Sequence, residues 1–309
     1  MKRLVKTKGM EKKTWLAYRR QGIGGSDAPV ILGLSPYRSI LELWEDKTGK
    51  KKMEEEENHF TYFGHVLEPV IKKEFMKRTG LKVREKNCIL HSEEYPFMLA
   101  DLDGTVQEPD GSYSVFEAKT ATEYKKEIWE KGIPEEYMAQ VQHYLCVTGY
   151  QKAYVCALVG GNMFYCHVIR RDEAYIRMLV EKESYVWDCV RTGHMPEPDG
   201  SKATEDFLNS RYKDGKKEEI RLPDQASSLL ESYCRIGETM KELETEKNRI
   251  TNELKNMMQE NEKGYTKDHV VNWPMVVKHT LDTRKVKDAL GDSYEDCLKE
   301  VRYRKFSVA

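Results

Sequence analysis

The stretch MLADLDGTVQEPDGSYSVFEAK, residues 98–119, decides how the chain is read. Met98 to Val106 and Tyr113 to Lys119 alternate apolar and polar side chains, and Glu108-Pro109-Asp110-Gly111 between them is turn chemistry, so the segment predicts an antiparallel hairpin. Glu117 and Lys119 are two residues apart and emerge on one face, while Ala118 points to the other. A three-residue turn, Pro109 to Gly111, makes Glu108 face Ser112 and sets Asp103 opposite Glu117. A two-residue turn at Asp110-Gly111 sets Asp103 opposite Ala118 instead. The three-residue turn is the expectation, and it brings two carboxylates to about 5 Å at their Cβ atoms, where they repel unless a cation lies between them. Oxygen donors, with no His or Cys close by in sequence, suit Mg²⁺ or Mn²⁺ rather than zinc. A lysine beside such a cation is what phosphodiester hydrolysis uses. The competing explanation is a solvated hairpin whose charges do nothing, since a D-x(n)-E-x-K pattern arises by chance in many charged chains.

Working outward, Thr14 to Gly49 reads as a short helix, a glycine-rich turn (Gly22 to Asp27), a second short helix with Ser26 or Asp27 as its N-cap, and a third helix, Ser39 to Lys47. Glu54 to Glu57 reads as an exposed loop. Phe63 to Arg78 has helical periodicity and places Glu68 early in a helix. Val83 to Leu90 reads as a strand, and Glu135 to Val147 as a helix that sets Gln140 and Tyr144 one turn apart on one face. Strands at Ala153 to Val159 and Met163 to Ile169 and a helix from Asp172 to Arg191 follow. Met195 to Gly200 reads as a linker, which divides the chain into residues 1–200 and 201–309. Beyond it, Leu229, Tyr233, Ile236, Met240, Leu243, Ile250, Leu254 and Met257 step by four and three, with Lys247 interrupting. That is a heptad-like helix, followed by a strand pair, a small helix and the basic, aromatic tail Arg302 to Phe306.

Lys and Arg number 51 against 52 Asp and Glu, so any surface for a polyanion must be local. The first twenty residues are one candidate, with a solvated basic tail before Trp15 as the plainer reading. Seven cysteines without a CxxC pair, and no signal peptide, read as reduced thiols in a cytoplasmic protein. The same spacing disfavours zinc or iron–sulfur ligation. No apolar run has the length of a membrane span, so no membrane partner is expected.

At this point the sequence resembles the YqaJ-type viral recombinase family, which includes the phage lambda exonuclease. The resemblance runs from Trp15 to about Arg191 and rests on Trp15-Leu16-Ala17-Tyr18-Arg19 with Gly24-Gly25-Ser26, then Gly64 to Pro69, Asp103-Gly104, Glu117-Ala118-Lys119 and Tyr137 to Gln142. It implies an α/β, restriction-endonuclease-like core, a mixed central sheet flanked by helices, here with a helical, heptad-containing C-terminal extension. It implies that Asp103 and Glu117 bind Mg²⁺ (or Mn²⁺) with the Ala118 carbonyl, and that Lys119 works on the attacking water. Glu68, also counted among the metal-binding residues, and Gln140 support the site beside Tyr144, and Arg19 and Ser26 hold the terminal 5′-phosphate. A hydroxyl, an arginine and the amides of a glycine-rich turn do make an anion pocket.

The implied activity is 5′ to 3′ digestion of linear double-stranded DNA with a 5′-phosphorylated end, in a bacterial host cell. It leaves 3′ single-stranded overhangs for a single-strand annealing protein in recombination. The implied assembly is a homo-oligomer, with the ring trimer of the lambda relative as the example. The alternatives are an endonuclease on the same core and a catalytically silent DNA-binding module.

Overall fold

The computed structural model describes residues 1–52, 58–291 and 293–308; the acidic run Glu54 to Glu57 lies outside them. The chain opens with a strand where a basic tail is the plainer reading: β1 (Lys2–Lys6) pairs antiparallel with a later strand, Lys2 opposite His91 and Lys6 opposite Cys88. Its charge hides it, because an edge strand needs few apolar side chains and lysines keep such an edge from pairing with other chains. Helix α1 (Lys12–Arg19), strand β2 (Ile23–Gly24) and a single 3-10 turn, Gly25–Asp27, lead into α2 (Ala28–Ile31). Asp27 precedes α2 but makes no side-chain cap; its carboxylate turns back to accept from the Gly24 N–H at 2.9 Å. Helix α3 (Ile40–Lys47) is capped by Ser39, whose hydroxyl accepts from the Glu42 N–H.

Helix α4 (His59–Thr79) starts a turn earlier than its apolar periodicity suggests, because Asn58 caps it by accepting from the Thr61 N–H. Glu68 therefore lies in mid-helix, just before Pro69, rather than near the start. Two expected strands then divide in two. Val83 to Leu90 becomes β3 (Val83–Arg84) and β4 (Cys88–His91), and Met98 to Val106 becomes β5 (Met98–Asp101) and β6 (Gly104–Gln107). Both breaks have one cause: the chain leaves one sheet for another. One sheet has the order β1-β4-β5-β2; the other has β3-β6-β7-β8-β9, with β7 (Tyr113–Ala121), β8 (Lys152–Val159) and β9 (Met163–Arg170). Period-two alternation continues through such a crossing, so the pattern does not reveal it.

The hairpin turn is the three-residue one. The Glu108 N–H donates to the Ser112 carbonyl at 2.9 Å, and Gly111 sits at φ 86°, a left-handed conformation that glycine takes without strain. Gly104 accordingly pairs with Phe116 and Thr105 with Val115, the register expected. Strand β8 runs parallel to β7, and β9 antiparallel to β8, so the sheet is mixed.

Between β7 and β8 come α5 (Lys126–Lys131) and α6 (Glu135–Thr148). Val115, Val155 and Ala157 pack with Val141, Tyr144 and Leu145 of α6, and the same cluster takes in Leu90, Met98 and Ala100 from the other sheet. Phe116 and Tyr154 meet Ile71 and Phe75 of α4 on the opposite face. Odd-numbered residues of β7 thus face α6 and even-numbered ones face α4, which is the separation of Glu117 and Lys119 from Ala118 that the alternation requires. This is an α/β core, a mixed sheet flanked by helices on both faces.

Helix α7 (Glu173–Thr192) is tied to α6 by a buried pair, His143 Nδ1 with Glu183 at 2.9 Å. Helix α8 (Lys202–Arg211) belongs with the core: Phe207 and Leu208 pack against the Ile23 and Leu41 cluster, and Arg211 pairs with Glu45. The first compact unit therefore ends at Arg211, eleven residues past the linker that the Pro-Gly composition suggests. The second unit, Tyr212–Ala309, carries the long helix α9 (Gln225–Met258), the strand pair β10 (Lys263–Tyr265) and β11 (Val270–Asn272), and α10 (Thr283–Leu290) and α11 (Ser293–Asp296). Among the described residues no helix is long and apolar enough to cross a membrane, and all seven cysteines are free.

Candidate active site

The break between β5 and β6 puts Asp103 at the seam of the two sheets, where its carboxylate accepts the Ala118 N–H at 2.8 Å. Glu117, on the face of β7 toward α6, is buried; its Oε1 takes the Lys119 ammonium at 2.6 Å and the Gln140 amide at 2.8 Å. Lys119 also donates to Gln140 Oε1 at 2.9 Å and lies over the Tyr137 ring. The Gln140 amide reaches the Tyr144 hydroxyl at 3.1 Å, and that hydroxyl donates to the Asp101 carbonyl at 3.2 Å. Glu117, Lys119, Gln140 and Tyr144 are therefore one hydrogen-bonded cluster, and Asp103 joins it through the Ala118 N–H and through its charge. Glu68 stands apart, paired with Lys72 one turn along α4, and acts on the cluster through its charge.

The electrostatics are those of a site short of positive charge. Burial, then the charges of Glu117 and Glu68, push the Asp103 carboxyl well above the usual range, against Lys119 and the Ala118 N–H. Burial also raises Glu117, more than Lys119 lowers it. Lys119 itself, although burial acts to lower it, is raised by Glu117 and Asp103 and stays an ammonium. Glu117 Oε2 is buried and has no hydrogen-bond partner. Such an orphaned carboxylate oxygen, next to a carboxyl with a raised pKa, fits a divalent cation held by oxygen donors. As the side chains stand, no three His, Cys, Asp or Glu among the described residues are gathered tightly enough to hold a metal. Lys119 pairs with Glu117 through Oε1, and Lys72 pairs with Glu68.

Beside this centre lies a pocket of about 240 Å³ with the opposite imbalance, lined by Arg19, Ser26, Arg38, Lys47 and Lys51 among others. Arg19 donates to the Ser26 hydroxyl, the two residues expected to act together. The turn that carries Ser26 packs so closely on α6 that a Cβ on Gly25 would stand 2.3 Å from the Tyr144 ring. Asp27 anchors the pocket wall. Burial would raise its carboxyl, but the charges of Lys47, 2.7 Å away, Arg19 and Arg38 hold it far below the ordinary value. Asp46 takes both Arg20 and Arg38 at 2.7 Å.

Several of these residues escape a reading of the sequence. Arg38, Lys47 and Asp46 belong to a helix and loop with no motif of their own, and only folding brings them to Asp27. Asp101 accepts from the Trp15 indole at 2.6 Å, and the Arg19 guanidinium lies over that same ring at 4.8 Å, so Trp15 links pocket and carboxylate centre. In the sequence Asp101 is only one more polar residue in an alternating strand.

The chain resembles known proteins in two ways. Residues 14–151 match the model of the YqaJ-like viral recombinase domain, and the YqaJ protein of Bacillus subtilis (strain 168) is 39% identical over 310 residues, covering 99% of this chain and 96% of that protein. Among solved structures, an alkaline exonuclease from Laribacter hongkongensis superposes with a TM-score of 0.48 at 20% identity, covering 59% of this chain and 94% of that one. A phage-related exonuclease from Haemophilus somnus 129PT gives a TM-score of 0.44 at 14% identity, covering 58% and 97%. With near full-length identity to one member and the family domain spanning both the pocket and the carboxylate cluster, the chain belongs to the YqaJ-like viral recombinase family.

Proposed function

We propose that the chain is a metal-dependent nuclease that digests linear double-stranded DNA from a phosphorylated 5′ end, 5′ to 3′, leaving a 3′ single strand for a single-strand annealing protein. The observation that carries this reading is the pairing of two neighbouring sites of opposite charge need: a carboxylate cluster with an orphaned oxygen at Glu117, and a cation-rich pocket at Arg19 and Ser26. A scissile phosphodiester and the terminal phosphate of the same strand would answer both.

Asp103, Glu117 and the Ala118 carbonyl are the groups that would hold Mg²⁺ or Mn²⁺, and the ion, when bound, would supply Lewis-acid polarisation of the phosphate. Lys119, kept protonated by its carboxylate neighbours, donates hydrogen bonds that orient the attacking water and stabilises charge building on the phosphoryl oxygens. Gln140 fixes Lys119 and Glu117 together, and Tyr144 fixes Gln140. Arg19 and Ser26 bind the terminal phosphate and so set which strand and which end enters.

The test is digestion with Mg²⁺ of a linear duplex labelled at either terminus of one strand, beside a covalently closed circle. Loss of 5′ label first and an untouched circle support the proposal. Cutting of the circle replaces it with an endonuclease, and DNA binding without cleavage replaces it with a binding module.

A further inference from the structure

Strands β8 and β9 carry one cysteine each, and their register sets Cys156 directly opposite Cys166. Residues opposed across an antiparallel ladder share a face, and here the two sulfurs stand 2.9 Å apart, the Cys156 thiol donating to the Cys166 sulfur. Access differs between the two ends of the pair. Cys156 is fully buried in the cluster of Phe75, Phe116 and Tyr154, whereas Cys166, on the edge strand of the sheet, is exposed. The hydrogen bond from Cys156 lowers the Cys166 thiol, against burial, which raises it. The reachable sulfur is thus the better nucleophile of the two. The nuclease reading leaves both sulfurs idle: Cys156 lies beside Ala118 in the ladder but on the α4 face, away from Glu117 and Lys119.

We propose that Cys156 and Cys166 form a modification site for peroxides, oxidised reversibly to a cross-strand disulfide. The Cys166 thiolate attacks one peroxide oxygen and the O–O bond breaks. Cys166 becomes a sulfenic acid, and the departing hydroxide takes up a proton as water. The Cys156 sulfur then attacks the Cys166 sulfur. The S–S bond forms, the S–O bond breaks, and the Cys156 proton leaves with the hydroxyl as a second water. The two sulfurs together lose two electrons, and the peroxide gains them. Opposed Cα atoms in an antiparallel ladder are about 4.5–5.5 Å apart, inside the span of a disulfide, so closure needs little movement of the backbone. A resolving thiol already in contact traps the sulfenic acid before a second peroxide carries it to the irreversible sulfinic acid. Small-molecule thiols entering at exposed Cys166 reverse the bond by exchange, two of them leaving as their own disulfide.

Trypsin reads the pair directly, because residues 153–170 hold both cysteines between the cleavage points at Lys152 and Arg170. The full chain is treated with a small excess of hydrogen peroxide, quenched in acid, unfolded, alkylated and digested. The 153–170 peptide is expected to carry no alkyl group and to be two hydrogens lighter than its reduced form. Dithiothreitol before alkylation is expected to restore both alkylation sites. Cys156→Ser is expected to accumulate sulfinic acid at Cys166, and Cys166→Ser to leave Cys156 a thiol. A wild-type peptide alkylated at both cysteines, under peroxide that oxidises exposed Cys234, overturns the proposal. So does as much Cys166 sulfinic acid in the wild type as in Cys156→Ser, or Cys166 joined to Cys234 of another chain. The wild type carries the first readout, so the test stands even where a variant fails to fold, and its outcome is independent of whether the chain cuts DNA.

Discussion

The carboxylate cluster and the basic pocket are adjacent, both are charged and partly buried, and they are unbalanced in opposite senses. Around Asp27 and Asp46 every carboxylate oxygen with an ion pair has its lysine or arginine, and cations are left over. Around Asp103 and Glu117 the carboxyls are pushed toward protonation and one oxygen has no partner. A protein stabilised for its own sake would neutralise both, since unpaired buried charge is costly. Leaving one site short of an anion and its neighbour short of a cation is sensible when ligands complete them.

The comparison can be broken most severely at Glu117 and Lys119. Glu117→Ala or Lys119→Ala should lower cleavage by about a thousandfold or more, the scale of lost charge stabilisation and positioning at a reacting centre, while a gel-shift measurement should find DNA affinity little changed. Cleavage within tenfold of wild type would mean that the cluster is structural.

A smaller effect is expected at Asp27, and on stability rather than chemistry. Asp27→Asn leaves Lys47, whose side chain is 2% exposed, without its counter-charge, a loss of about 3–5 kcal/mol in a denaturant melt at neutral pH. The pH dependence has a definite sign. A carboxyl whose folded pKa is depressed gives stability that is complete above its unfolded value of about 4 and is lost as pH falls through the folded value. The wild type should therefore lose stability on acidification below about pH 4, and the variant should lack that component.

Smaller again is Gln140→Ala, expected to reduce cleavage about 10–100-fold by releasing Lys119 and Glu117 from each other. Tyr144→Phe, which removes a neutral hydrogen bond worth about 1 kcal/mol, should reduce it by less than tenfold. A larger loss in Tyr144→Phe than in Gln140→Ala would reverse the order of support between the two side chains.

The same contrast explains what the sequence discloses. The hairpin register is legible because Pro109-Asp110-Gly111 fixes the turn and strand alternation fixes the faces, all within residues 98–119. Asp103, Glu117 and Lys119 follow from that register, and Gln140 and Tyr144 from helical spacing. The pocket is legible only at Arg19 and Ser26, through resemblance. Lys47 reaches Asp27 from a different helix and Asp101 reaches Trp15 across 86 residues, and neither pairing leaves a periodic trace. The strands that divide at Leu102 and near Lys86 read as continuous for a related reason: alternation reports which face a residue takes, and not which sheet it joins. In the C-terminal unit the opposite holds, since the heptad seam of α9 is plain in the sequence and it is the occupant that no local pattern names.

The most direct test of the two-site account compares a linear duplex bearing 5′-phosphate with the same duplex bearing 5′-hydroxyl, digested with Mg²⁺ by the wild type, Arg19→Ala and Glu117→Ala. The account predicts that the wild type prefers the phosphorylated end by about 10–100-fold, the worth of charge-assisted hydrogen bonds to a phosphate. It further predicts that Arg19→Ala levels the two ends and that Glu117→Ala digests neither. Equal digestion of both ends by the wild type, or a preference untouched by Arg19→Ala, would contradict it.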